Sequence, residues 1–215
     1  MQQSSIQQIF ENVIPAELHS STLELSQITK MNFESVLNTV SNDLIRIITF
    51  QNEKFIISKL IMNEENYYVS TRLQKKFKFD PVQNLITDVE KLEAEPTSFE
   101  CLQGLSWEVN ENNNILIIAN DMIDERNQIN SSLRVVCKDN KAEIKLQSHI
   151  LENGNIQFSL VENIDTQGDL QAQAQQIQKE ISKIFDKLEA ETENTVKGAR
   201  RVLPICGQKI NWEFQ

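Results

Sequence analysis

The sequence predicts an α+β fold, antiparallel meander sheets packed with amphipathic helices, and three observations predict it. Runs of strand character are separated by short polar turns, the pattern of antiparallel hairpins. Between these runs lie segments whose apolar residues recur at helical spacing. Glycine and proline are scarce, five and four in 215 residues, which weighs against a turn-rich β-sandwich and against glycine-rich phosphate loops.

The longest predicted element is a helix over Thr166–Leu203. Leu170, Ala174, Ile177, Ile181, Ile184 and Leu188 share one face, since steps of four and three return to the same side of a helix. Thr166 followed by Asp169 resembles a capping box, and Pro204 stops the helix. Lys197, Arg200 and Arg201 fall where the helix dipole favours cations. The seam breaks at Glu191 and resumes at Val196, Ala199 and Leu203. It therefore reads as one helix laid across a sheet, with a helix–helix dimer as the alternative.

In chain order, residues 1–31 are polar, with a short helix carrying Ile6, Ile9, Phe10, Val13 and Ile14 and ended by Pro15. His19 falls in the linker that follows. Asn32 caps a helix whose buried face is Phe33, Val36, Leu37, Val40 and Leu44. Strands are expected over Leu44–Phe50, Phe55–Met62 and Tyr67–Leu73, broken at Gln51-Asn52 and Asn63–Asn66. Asp80-Pro81 reads as a cap and first turn of a second helix, with Val82, Leu85, Ile86, Val89 and Leu92 buried and Pro96 beyond its end. Strands Cys101–Val109 and Ile115–Ala119 follow, joined by the polar turn Asn110–Asn114. Asp121–Ile129 reads as a short helix. A second meander then covers Leu133–Lys138, Ala142–Leu151 and Ile156–Val161, with hairpin signals at Asp139-Asn140 and Asn153-Gly154. After the long helix, Lys209–Phe214 alternates as a closing strand. Set side by side, 32–119 and 120–215 repeat a similar order, which suggests two tandem pseudo-equivalent units after an N-terminal segment, 1–31.

Thirty-one acidic against 21 basic residues give a formal charge of −10. This disfavours nucleic acid, whose binding draws on phosphate neutralisation, and suits a soluble cytosolic protein or one whose partner is basic. The N-terminus lacks the basic and apolar regions of a secretory signal, and no apolar run reaches membrane-spanning length, so no membrane insertion is expected. Cys101, Cys137 and Cys206 are scattered, without zinc-ligand spacing, and read as reduced thiols. No cofactor or metal is expected. Asn130-Ser131-Ser132 matches a glycosylation sequon, set aside for want of a signal peptide.

Few residues invite a chemical role. Arg72–Phe79 (RLQKKFKF) is the one basic cluster interleaved with aromatics, so Arg72, Lys75 and Lys76 are candidate partner contacts; the alternative is a solvated connector with Phe77 and Phe79 tucked into the core. Ile6, Ile9, Phe10 and Val13 are the second candidate partner surface, against the alternative of a helix covering its own core. Asp121, Asp124 and Glu125 lack calcium-loop spacing and read as a solvated face. His149 lies in a strand with no marked nucleophile or acid beside it. The favoured reading is a non-enzymatic, chaperone- or adaptor-like protein that binds another protein, itself a monomer or weak homodimer. The alternative is a small-molecule-binding protein, or a hydrolase or transferase built around His149.

The order helix, three strands, helix, two strands from Asn32 to Ala119 resembles the type III secretion chaperone-like fold shared with the YbjN-like proteins. The resemblance rests on the runs Leu44–Phe50, Phe55–Met62, Tyr67–Leu73, Asp80–Ala94, Cys101–Val109 and Ile115–Ala119. It implies a dimerising, non-enzymatic protein that holds a polypeptide against exposed apolar sheet. Two such units in one chain would make a pseudo-dimer.

Overall fold

A computed structural model describes residues 13–29, 34, 37, 44–93, 97–124, 129–150 and 156–202. The chain divides into two compact units, Met1–Ile177 and Gln178–Gln215. The fold is α+β and its sheets are antiparallel. Strands β1 (Arg46–Phe50) and β2 (Glu53–Ile57) form a hairpin; β3 (Tyr68–Ser70), β4 (Lys75–Asp80) and β5 (Leu85–Lys91) form a three-stranded sheet. The largest sheet has five strands in sequence order: β6 (Ser106–Asn110), β7 (Ile115–Asp124), β8 (Ile129–Lys138), β9 (Lys141–Ile150) and β10 (Ile156–Asp165). With them come the helices α1 (Leu18–Thr29) and α2 (Leu170–Val202).

Cross-strand partners share a face, and this splits the large sheet into two surfaces. One carries Ile115, Ile117, Ala119 and Val136, which pack with Phe55, Ile57, Tyr68, Phe77 and Ile86 of the hairpin and the smaller sheet. The rings of Phe55 and Phe77 meet edge to face, with centroids 4.8 Å apart, and Tyr68 stacks on Phe77 at 5.6 Å. The other surface carries Leu116, Val135, Cys137, Ala142 and Ile144, all buried. The start of α2 is tied to this surface through Gln173. Its Oε1 accepts from the Cys137 thiol at 3.3 Å, and its Nε2 donates to Asn140 Oδ1 at 3.0 Å. Ala174 and Ile177 on the next turn are fully buried.

The two-residue turns fall where the sequence places them. Gln51-Asn52 joins β1 to β2 and Asp139-Asn140 joins β8 to β9, all four with positive φ (51°, 65°, 52° and 62°). Such turns follow the right-handed strand twist and suit Asn and Asp. The long helix is also present, although its cap is Asp169 rather than Thr166: Asp169 Oδ1 accepts from the Ala172 backbone N–H at 2.8 Å.

Several expectations are corrected. The helix over Asp80–Ala94 is instead a turn followed by β5. Asp80 Oδ1 accepts from Val82 N at 2.8 Å and Gln83 N at 3.1 Å, and Asn84 has φ +54°. An Asp-Pro pair starts a turn as readily as a helix, and the left-handed residue ends it within four positions. Of the five residues expected to be buried, Val82, Leu85 and Val89 are exposed. Asp121–Ile129 is not a helix, because β7 continues to Asp124 and β8 begins at Ile129. His19 is not in a linker but in the first turn of α1, and Pro15 opens the 3-10 turn Pro15–Glu17 that leads into it. The basic segment is not a connector: Lys75–Asp80 is β4 and Arg72 sits in the preceding turn. Without a helix at 80–94, the expected repeat of element order is not formed. Of the Asn32 helix, residues 34 and 37 are described; both are helical, and Leu37 is buried with Leu18. The helix around Ile6–Phe10, the Asn153-Gly154 turn and the Lys209–Phe214 strand lie outside the described residues.

Candidate functional site

The residues singled out from sequence are dispersed, and their charges are matched. Lys75 Nζ pairs with Glu53 at 2.5 Å, and Lys76 Nζ pairs with Glu90 at 3.0 Å and Glu65 at 3.9 Å. Lys76 and Lys78 also flank the Tyr67 ring, 4.9 and 4.8 Å from its centroid. The hydrogen bond between Lys76 and Glu90 raises the pKa of Lys76 and lowers that of Glu90, and a hydrogen bond to Asp88, 3.3 Å away, raises that of Lys78. Strand pairing sets Lys76 against Glu90, since β4 lies beside the acidic β5, whereas Glu53 reaches Lys75 from β2 of the hairpin. Arg72 donates through Nη2 to the Lys54 carbonyl. Val13, half-buried, packs against the small cluster of Leu18 and Leu37; Ile6, Ile9 and Phe10 lie outside the described residues.

His149 has an acid partner. Both Glu17 carboxylate oxygens lie 3.0 Å from its Nδ1, and Asn130 Nδ2 also donates to Glu17. The nearby hydroxyls of Ser131 and Ser148, 2.8 Å apart, are one residue out of phase with Asn130 and His149 and so belong to the opposite sheet face. The cluster therefore fastens the N-terminal turn to the sheet. Asp121 is likewise engaged, accepting from Ser132 Oγ at 2.7 Å and pairing with Arg134 Nη2 at 2.7 Å. Among the described residues, no three His, Cys, Asp or Glu side chains come together to hold a metal ion. Cys137 is buried and Cys101 half-buried, both as free thiols with pKa raised by burial. Among the described residues, no helix is long and apolar enough to cross a membrane.

The feature that sequence reasoning missed is an edge. Strand β10 spans ten residues and pairs along its full length with β9, while no described strand pairs with its other side. Gln157, Ser159, Val161, Asn163 and Asp165 alternate as exposed positions, with half-buried Phe158, Leu160, Glu162 and Ile164 between them. Such a strand presents unpaired backbone N–H and C=O groups, a template for another chain unless it is covered. The signal available in sequence was the alternation of Ile156–Leu160, which reverses at Val161 and Glu162 and returns at Ile164, beyond the Val161 boundary expected.

The comparisons with known proteins bear on this same region. A family model for the F-actin capping protein alpha subunit matches residues 105–214, from the residue before β6 through the five-stranded sheet and α2. The chain is similar in fold to a solved structure, the homodimeric actin capping protein alpha subunit from Plasmodium berghei. The likeness has a TM-score of 0.54 at 14% identity and covers 96% of this chain and 98% of that one. No curated protein matches the sequence. These findings overturn the resemblance to type III secretion chaperones and YbjN-like proteins, which rested on a helix at 80–94 that is a strand. With the match spanning more than half of its length, this chain belongs to the F-actin capping protein alpha subunit family.

Proposed function

We infer that the protein is a non-enzymatic, cytoplasmic subunit that caps actin filaments, working in a complex with a second subunit. The family match over the large sheet and α2 carries this reading. The fold likeness along 96% of the chain supports it. The assembly is proposed to form through β10: a ten-residue antiparallel edge with alternating exposed side chains is suited to continuing its sheet into a neighbouring chain. That neighbour is either a second copy, as in the homodimeric relative, or a different subunit. The expectation of a monomer or weak homodimer rested on two pseudo-equivalent units; in the reading proposed here the chain instead works as part of a dimeric unit. In the same reading the proposed segments divide the work. Residues 1–31 offer Ile6, Ile9, Phe10 and Val13 to a partner, 32–119 brace the sheet, with Arg72, Lys75 and Lys76 as an ion-paired face, and 120–215 carry the edge and the long helix.

The test is elongation of actin from preformed filament seeds, with the protein added alone and with the subunit that copurifies with it. Capping stops growth at protein concentrations far below that of the actin monomer. Unchanged elongation by the purified complex, at protein concentrations equal to the actin monomer, would refute the reading.

A further inference from the structure

We propose that the cleft bounded by the N-terminal turn, β1, β2, the β4–β5 turn and β7 is a binding site for a small molecule bearing a phosphate group. The cleft has a volume of about 270 Å³ and its polar lining is His19, Arg46, Thr49, Lys54, Asn84 and Asp121. Arg46 is 3% exposed and held in place: its Nη2 donates to Asn84 Oδ1 at 2.7 Å, and its guanidinium carbon lies 5.3 Å from the centroid of the Phe79 ring. A guanidinium fixed by packing and an amide is prepared for an oxyanion with little further ordering.

The acid in the lining does not cancel this charge. Asp121 is compensated by Arg134, itself buried, and by the Ser132 hydroxyl, both at 2.7 Å. The lining thus brings two basic side chains, Arg46 and Lys54, together with one acid, Asp121, in a chain of net charge −10. His19 supplies the third group. Its Nδ1 is buried with no hydrogen-bond partner among the described residues, a costly condition that a bound oxyanion relieves. Burial, and next the Arg46 charge, lower the His19 pKa. The neutral ring can either donate through Nδ1 to a phosphate oxygen or accept from a protonated one. His19 belongs to the first turn of α1, where the helix dipole also favours an anion.

Geometry selects phosphate over carboxylate. A carboxylate presents two coplanar oxygens that one arginine fork satisfies. Here three groups come from three walls, α1, β1 and β2, and a tetrahedral oxyanion can address each of them. Nucleic acid is a poor candidate, because the surrounding chain is acidic and a long polyanion needs an extended basic surface.

The experiment uses the full chain at constant ionic strength. Inorganic phosphate and glycerol 3-phosphate are titrated separately, with chloride as the control, and followed by calorimetry and by the ring resonances of His19. Saturable binding that moves the His19 signals is expected. Lys54 is exposed, so Lys54→Gln should fold normally and weaken binding about fivefold, the scale of one partly solvated charge contact. Binding of both probes would identify the free anion as sufficient, whereas binding of glycerol 3-phosphate alone would identify an ester as the ligand. The proposal is overturned by three results: no saturable binding beyond the chloride control, binding that leaves the His19 resonances unmoved, or binding of equal strength in wild type, Lys54→Gln and His19→Phe.

Discussion

Ser70 Oγ donates a 2.5 Å hydrogen bond to the carboxylate of Glu108, a side chain with no solvent exposure in the middle of β6. The same carboxylate accepts from the Thr71 hydroxyl at 3.4 Å and the Arg72 backbone N–H at 3.3 Å. It thereby joins the turn after β3 to the edge of the large sheet. Removal from water outweighs these donors, and the Glu108 pKa is pushed up to about 7. The folded state therefore holds the proton more tightly than the unfolded chain, with its ordinary value of 4.5. The resulting stabilisation is complete below that ordinary value and is lost as pH rises through about 7. At about 1.4 kcal/mol per unit, the full swing is on the order of 3 kcal/mol. Glu108→Gln should match wild type near pH 5 and become progressively the more stable of the two towards pH 8, by urea denaturation. A difference that does not change with pH would show that Glu108 titrates normally.

Asp169 is expected to hold the start of α2, since its carboxylate accepts from the Ala172 N–H at 2.8 Å. Asp169→Ala should cost about 1 kcal/mol, the usual worth of an N-cap, while Asp169→Asn, which keeps a capping oxygen, should cost less. Equal losses for the two variants, measured by chemical denaturation, would show that the Asp169 side chain does not cap the helix.

Phe77 has no exposure and is held between the Phe55 and Tyr68 rings. Phe77→Ala should cost about 3–5 kcal/mol through lost burial and the cavity left behind. Val89, 39% exposed on β5, provides the contrast. Had Asp80–Ala94 been a helix with Val89 on its buried face, Val89→Asp would cost several kcal/mol; on the strand it should cost about 0.5 kcal/mol or less. Thermal melts of the two variants separate these cases.

Sequence was most informative where one residue type has one use. Asp139-Asn140 and Gln51-Asn52 marked hairpins because two successive left-handed residues are tolerated by few other side chains. Ala174 and Ile177 marked the buried face of α2 because helical periodicity persisted over many turns. Sequence failed where a signal had two physical solutions. Asp80-Pro81 begins a helix or a turn, and the decision lay with Asn84, three residues beyond Pro81. The weak stripe of α1, with Leu23 and Ile28 exposed, gave little sign of a helix at all. The acid partners of Lys75 and Lys76 come from β2, the β3 approach and β5, so their pairing follows from sheet order rather than from local spacing. The open edge of β10 is likewise a property of topology: alternation identifies a strand, and only the strand order shows which strand is last.

That edge yields the final prediction. In an antiparallel strand, successive backbone N–H groups point to opposite sides, so of Ser159 and Leu160 one directs its N–H toward β9 and the other toward the open edge. Proline removes that donor and is tolerated in a strand only where the N–H faces outward. Ser159→Pro and Leu160→Pro should therefore behave oppositely. One breaks the β9–β10 ladder and destabilises the whole chain; the other leaves the circular dichroism spectrum and melting temperature near wild type. The well-folded variant should lose association with its second subunit, read as a fall in mass by light scattering, because it has lost a hydrogen bond across the proposed interface and brings a ring into it. A third variant, Val161→Lys, places a charge at an exposed position on the same strand and should weaken association without affecting the fold. If the folded proline variant and Val161→Lys both assemble as wild type does, the subunit contact lies elsewhere on the chain.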